Sequence, residues 1–243
     1  QGVDQDFSTK NQYYVIQKQE QNMLSEELNI KAVTYNNYKW LFGAFGFYQG
    51  IDNEVNMDYK LQRMSTHKVY DSPTYGFALY HQSTIDKLFT DALSLTLGIR
   101  YDWEQAHTDY KAYRSMNDTT GMTDSFKSKL TFRQLTPKAT LQYTFSGSQL
   151  LYATVSKGYK SGGFNTSFER DEDRSFEPEY SWNYEAGTKL NFWQNRIKTE
   201  LSLFYIDWRN QQIYQPLPSG KGSMLKNAGR SESKGIEFAL QAN

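Results

Sequence analysis

The sequence predicts an all-β fold, an antiparallel up-and-down transmembrane β-barrel, and three observations carry that prediction. The first is the stretch Leu93–Glu104. Leu93, Leu95, Leu97, Ile99, Tyr101 and Trp103 are apolar, whereas Ser94, Thr96, Gly98, Arg100, Asp102 and Glu104 between them are small, polar or charged. Successive strand side chains point to opposite faces, so this is a two-faced strand. It exceeds the five or six residues usual in soluble sheets and reaches the roughly 9–11 tilted residues that cross a bilayer. The second observation is composition: 38% hydrophobic and 16% aromatic residues, with 19 Tyr and 15 Phe, at a mean hydropathy of −0.77. A barrel with a polar lumen needs apolar residues only at alternate positions, so it can be hydrophilic on average and still sit in a membrane. The third is the rhythm of the connections. Tight turns near 35, 88, 147 and 195 alternate with long polar excursions near 61, 117, 170 and 220. Membrane barrels place short turns on one side and long loops on the other, whereas a sandwich has no reason to keep that phase.

Taken in order, residues 1–22, rich in Gln, Asn and Asp, are expected to be a loop. Strands are expected over about 24–33, 39–49, 74–86, 92–105, 130–145, 149–161, 180–193, 196–214 and 225–242. The first sets Leu24, Glu26, Leu28, Ile30 and Ala32 against Ser25, Glu27, Asn29 and Lys31, and Tyr35–Asn37 supplies turn chemistry. The second, Trp40–Gln49, is rich in Phe and Gly. After Pro73, Tyr75, Phe77, Leu79 and Ile85 alternate with smaller or polar residues and lead into the Leu93 strand. Ala106–Ser128 is expected to be an excursion, because Asn117–Gly121 is poor strand material. Ala139, Leu141, Tyr143 and Phe145 alternate with Lys138, Thr140, Gln142 and Thr144, and Ser146–Ser148 turns the chain back. Trp182, Tyr184, Ala186, Leu190 and Phe192 oppose Ser181, Asn183, Glu185, Lys189 and Asn191, and the turn at Gln194–Asn195 follows. Ile236, Phe238, Leu240 and Ala242 mark the last strand.

Several function classes are excluded or disfavoured. The 27 basic residues balance 27 acidic ones, without the basic excess of a nucleic-acid binder. No apolar run is long enough for a transmembrane helix, and the absence of cysteine excludes disulfides and thiolate chemistry. His67, His81 and His107 lack helical metal spacing, and no Gly-x-Ser-x-Gly elbow exists. Gly158–Gly163 lacks the four-residue gap of a phosphate loop, so it reads as a flexible entry to a loop. Asp171–Arg174 lacks the ligand spacing of a calcium loop and reads as a solvated segment. No enzyme activity, metal site or cofactor is expected.

From Leu151 to Asn165, LYATVSKGYKSGGFN, the chain resembles the TonB-dependent outer-membrane receptors. Flanking segments resemble the same family in the same order. They are Ser25–Leu28, Leu97–Asp102 (LGIRYD), Leu135–Lys138 (LTPK), Phe176–Glu179 with Asn183–Lys189 (NYEAGTK), Phe204–Asp207, and Asn227–Gly229 through Gly235–Glu237. Together they cover about residues 24–243. The resemblance implies part of a 22-stranded barrel in the outer membrane of a Gram-negative bacterium, in contact with outer-membrane lipid. It implies uptake of a scarce, bulky small molecule or metal chelate, a ferric siderophore first, then cobalamin or a glycan. Energy would come from the TonB complex through a plug domain. The plug, its TonB-contacting segment and the family's C-terminal aromatic have no counterpart here, so about nine strands of an internal barrel portion are expected.

Candidate ligand-binding residues lie toward the outer rim and loops. Arg100, Asp102 and Glu104 share a polar face, where a structural lumen network competes with cargo contact. Lys160, Phe164 and Trp208 sit where strands meet long loops. Trp103, Trp182, Tyr101, Tyr184 and Trp208 suit aromatic belts. Two other classes remain compatible with the residues alone, a soluble carbohydrate-binding β-sandwich and an enzyme built on an outer-membrane barrel.

Overall fold

The computed structural model describes residues 2–4, 13–35, 37–117, 119–146, 149–194, 196–220 and 222–242. Among them, the chain is almost entirely strand: β1 (Gly2–Asp4), β2 (Tyr13–Thr34), β3 (Tyr38–Tyr59), β4 (Met64–Asp71), β5 (Thr74–Ile85), β6 (Leu93–Met116), β7 (Thr119–Ser146) and β8 (Gln149–Lys160) come first. After these come β9 (Gly163–Phe164), a single 3-10 turn (Asp171–Asp173), β10 (Ser175–Phe176), β11 (Glu179–Phe192), β12 (Ile197–Arg209), β13 (Gln212–Pro216), β14 (Ser223–Asn227) and β15 (Arg230–Ala242). The main sheet runs β1-β2-β3-β4-β6-β7-β8-β11-β12-β15, with β5 pairing β3 and β6. β9 with β10 and β13 with β14 form two small ribbons.

Strand occupies each of the nine expected ranges, but several strands are longer than expected, some loops are strands, and the expected strand over 225–242 breaks at Ala228–Gly229 into β14 and β15. Residues 13–22, expected within a loop, extend β2, and β1 occupies Gly2–Asp4; residues 5–12 lie outside the described set. The excursion after residue 50 is a hairpin made by the rest of β3 and by β4. The excursion after residue 105 is a second hairpin, made by the ends of β6 and β7. The expected strand over 196–214 breaks at Asn210, whose φ is 53°, and resumes as β13. The expected turn residues Asn36, Gly147, Ser148 and Asn195, and Asp118 in the Asn117–Gly121 segment, also lie outside the described residues.

β6 shows why alternation of one polarity missed these extensions. From Leu93 to Trp103 the apolar residues occupy the more exposed face, with Leu97, Ile99 and Tyr101 all exposed. Beyond Glu104 the polarity inverts. Ala106, Thr108, Tyr110 and Ala112 are buried on the face that carried Arg100 and Asp102, while Gln105, His107, Asp109 and Lys111 take the face that carried leucines. A strand leaving hydrocarbon for water should change in this way: its outer face becomes polar, and its inner face can bury apolar groups.

The residues fall into two compact units. One comprises residues 1–26, 46–76 and 104–131. Its interior holds Val55, Tyr70, Tyr110 and Ala112, with the Tyr70 and Tyr110 rings 4.9 Å apart and Phe126 5.1 Å from Tyr110. Asp109 and Lys127 pair at 2.7 Å on its surface. β4 stops at Asp71 because Pro73 has no N–H to give a ladder, although its carbonyl still accepts from His107 N at 2.9 Å.

The second unit comprises residues 27–45, 77–103 and 132–243. Here β7, β8, β11, β12 and β15 pair antiparallel, in unbroken register except for a shift between Thr144 and Ser146 of β7. The register aligns Leu141, Ala153, Ala186, Leu203 and Ile236 across five strands, and Tyr143, Leu151, Thr188, Leu201 and Phe238 in the adjacent row on the same face. Gly187 sits opposite, on the polar face, where a Cβ would stand 2.7 Å from both Leu201 O and Tyr152 OH. Because the backbone oxygen cannot move aside, Gly187→Ala is expected to cost about 1–3 kcal/mol. Gly121→Ala, at a site with nothing within 4 Å, serves as the control. The urea midpoints of the complete folded proteins check this, and equal midpoints for the two variants would contradict the packing.

Candidate functional site

The apolar face of the second unit is bounded by rings at both ends. At one end Phe77 stacks on Trp103 at 5.6 Å, Trp182 on Tyr184 at 6.5 Å, and Tyr184 lies 6.1 Å from Tyr205. At the short-turn end lie Tyr143 and Phe145, edge to face at 5.2 Å, with exposed Phe192 and Trp193. Trp182 to Phe192 of β11 covers eleven residues, or ten residue-to-residue steps, as does Leu93 to Trp103 of β6. At ~3.3 Å per residue and a tilt of ~40°, that length covers roughly 25 Å, the height of an outer-membrane barrel's apolar band. Aliphatic side chains between two aromatic belts form a wall suited to lipid.

The opposite face is polar. Arg100 donates from Nε to both Asp102 oxygens, at 2.9 and 3.0 Å, and its Nη2 lies 2.8 Å from Asp102 Oδ1. The guanidinium also stands over the Tyr80 and Phe45 rings, at 5.4 and 5.7 Å. Tyr80 lies across Gly43, taking the space a Cβ there would fill, and its hydroxyl donates to Glu27 and, at 2.8 Å, to Asn29. Tyr152 repeats the device against Gly187 and Glu185. An aromatic ring laid over a cross-strand glycine protects an otherwise bare stretch of backbone.

The two excursions at 161–180 and 210–229 are joined through buried polar side chains. Asn165 accepts from Leu225 N at 2.8 Å and donates to Leu225 O and Asp173 O, each at 2.9 Å. The Asp173 carboxylate is buried between Arg170 at 2.9 Å and Lys226 at 2.9 Å. Glu179 accepts from Gln212 N at 2.5 Å, while Gln212 Nε2 donates to Ser161 O at 2.8 Å and to Glu177 O at 3.2 Å. Apart from Gln212 Oε1, which is buried without a hydrogen-bond partner, the buried polar atoms named here are paired, and such pairing fixes one arrangement of the backbone.

The Asp171–Arg174 segment is therefore not simply a solvated run, because Asp173 is the anion at the centre of the tie. Gly162 owes its lack of a side chain to Phe176, whose carbonyl and Phe132's ring would meet a Cβ. Hydrogen bonds from Arg170 and then Lys226 hold the Asp173 carboxyl below the usual carboxylate range. A carboxylate depressed in the folded state contributes stability that is complete above its unfolded value, about 3.9, and lost as pH falls through the folded value. Spin labels at 169 and 219, one in each excursion, should therefore hold a fixed separation at neutral pH and broaden below about pH 4. A distribution unchanged down to pH 2 would contradict this role.

The residues predicted from sequence are brought together only in part. Arg100 and Asp102 bond to one another, and Glu104 lies in mid-strand rather than at a strand end, since β6 continues to Met116. Lys160 is exposed at the end of β8 opposite Glu179, half-buried Phe164 pairs with Ser175 in the β9–β10 ribbon, and half-buried Trp208 sits between Ser181 and Ser231. Asn165, Asp173, Glu179 and Gln212 were not among the candidate binding residues, and the Asp171–Arg174 run that contains Asp173 was expected to be solvated. Asn165 closes the segment that carried the family resemblance, and that was the one available signal.

The long two-faced strands, paired belts and knitted excursions have the form of a membrane β-barrel's wall and loops. A family model described as TonB dependent receptor-like, beta-barrel, matches residues 1–243, and the chain belongs to the TonB-dependent receptors. It is 26% identical over 215 residues to the pesticin receptor of Yersinia pestis, covering 86% of this chain and 30% of that protein. It is 30% identical over 164 residues to the metal-pseudopaline receptor CntO of Pseudomonas aeruginosa, covering 67% and 21%. The crystal structure of the ferric yersiniabactin uptake receptor FyuA from Yersinia pestis shares the fold at TM-score 0.75 and 22% identity, over 94% of this chain and 34% of that one. The chain thus spans about a third or less of these three proteins. These relatives are receptors, not enzymes, and the family resides in the Gram-negative outer membrane.

Proposed function

We propose that this chain forms wall and outer loops of an outer-membrane receptor that takes up a ferric siderophore or similar metal chelate, driven by TonB. The carrying observation is the knitted pair of excursions at the end of a lipid-suited wall, since it offers a pre-ordered rim to a bulky solute. The names of the relatives, receptors for metal–pseudopaline and ferric yersiniabactin, support the cargo class. Lys160, Phe164 and Trp208 belong to this rim as cargo contacts. Arg100, Asp102 and Glu104 belong to the lumen wall, where Arg100 and Asp102 neutralise one another.

The test is uptake of radiolabelled ferric chelates by cells whose only outer-membrane iron receptor is the complete protein. Accumulation of at least one chelate that stops when TonB is deleted supports the proposal. Accumulation that is indifferent to TonB, or none across hydroxamate, catecholate and carboxylate chelates, overturns it.

A further inference from the structure

Half of the chain's six methionines meet in two adjacent rows of the first unit, where β3, β4 and β6 come to their ends. Register sets Met64, the first residue of β4, opposite Met116, the last of β6, and opposite Tyr59, the last of β3. In the next row Met57 stands opposite Thr66, and Thr66 opposite Arg114. Residues opposed across a ladder share a face of the sheet, as do residues two apart along a strand. Met57, Met64 and Met116 therefore project from one face, and on that face the Tyr59 hydroxyl donates to Met57 Sδ at 3.4 Å.

The spacing brings three sulfurs within reach of one point. Met64 and Met116 are directly opposed, at about 4.5–5.5 Å between Cα atoms, and Met57 lies one diagonal step from Met64, about 7–8 Å. Unbranched side chains with three rotatable bonds close such gaps, so Met57 and Met116 can meet above β4 beside Met64. Core filling does not account for the group, since Met116 is half exposed at the end of its strand. Thr66 Oγ1, on the same face, is buried with no hydrogen-bond partner.

Thioether sulfur is neutral, soft and polarizable, and such ligands select copper(I) among biological metals. The surrounding charge selects in the same direction. Neither row holds a carboxylate, whereas Arg114 lies in the row of Met57 and Lys68 follows Thr66 on the same face. Hard divalent ions need anionic oxygen ligands and are repelled by such neighbours.

We propose that Met57, Met64 and Met116 form an all-thioether site for a soft, monovalent metal ion of the copper(I) class. Tyr59 orients the Met57 sulfur through one lone pair and leaves the other for the ion. The ion binds without change of oxidation state, so no electron donor is required. The site lies wholly within the first unit and does not depend on the chelate-uptake reading above.

The test is calorimetric titration of the complete receptor, in chloride-free detergent solution, with silver(I), a redox-inert ion of the same class. The wild type should bind one silver ion more per molecule than the triple variant Met57→Leu/Met64→Leu/Met116→Leu, in which leucine keeps side-chain volume and apolarity. Met23→Leu should match the wild type. The affinity of that one ion should be equal at about pH 5 and about pH 7, because thioethers carry no proton there, whereas imidazole ligands must lose one. X-ray absorption of the wild type loaded with one equivalent of copper(I) under ascorbate, which needs no variant, should show a shell of sulfur alone. Equal silver binding by wild type and triple variant, an affinity that falls toward pH 5, or a nitrogen or oxygen shell around copper overturns the proposal.

Discussion

Leu203→Arg in the complete receptor is expected to lower its unfolding free energy in lipid vesicles by about 2–4 kcal/mol, the cost of a cation at mid-depth on a barrel's lipid face. Leu203 lies in β12 between Ala186 and Ile236 and is half exposed in the isolated chain. In water such a site would tolerate arginine. The penalty therefore arises from the solvent and not from lost packing. Gln142→Arg, in β7 beside Leu141 of the same row but on the polar face, should stay within about 0.5 kcal/mol of wild type. Urea unfolding monitored by tryptophan fluorescence gives both values, and similar penalties at the two positions would contradict the assignment of faces.

Asn165→Ala is expected to separate the two outer excursions. It removes three hydrogen bonds and leaves Leu225 N, Leu225 O and Asp173 O without their side-chain partner in a buried setting. Stranding buried polar groups costs about 1–3 kcal/mol each, and partial hydration of the opened loops offsets some of this, so a net loss near ~3 kcal/mol is expected. Amide exchange at Leu225 should then accelerate about a hundredfold, at ~1.4 kcal/mol per tenfold. Exchange at Leu201, in the wall, should not change. Unaltered protection of Leu225 would mean that the ribbon β13–β14 is held by its own ladder alone.

What could be read from sequence follows from where one physical rule applied without competition. Between Leu93 and Trp103, lipid on one side and water on the other impose a single polarity on each face, so the alternation was plain and its length gave the class. Past Glu104 both faces are governed by water and by local burial. Ala106, Tyr110 and Ala112 then carry the apolar role on the opposite parity, and the segment looked like a loop. The shared polar face of Arg100 and Asp102 was legible because strand residues two apart point the same way, whereas their bond to one another was not foreseen. The tie through Asn165 and Asp173 was not, because Leu225 lies sixty positions from Asn165, and nothing local in either excursion marks the other as its partner. Asp173 was even misleading, since a run of charges in a polar excursion is usually solvated and here its central carboxylate is buried.

The central claim is that one face of this sheet meets lipid and the other meets water. Its most direct test places nitroxides at positions 95 and 97, and at 96 and 102, of the complete receptor in bilayers and compares collision rates with oxygen and with a water-soluble nickel chelate. The account predicts oxygen-dominated relaxation at 95 and 97 and nickel-dominated relaxation at 96 and 102. Reversed or uniform accessibility along the strand would contradict it.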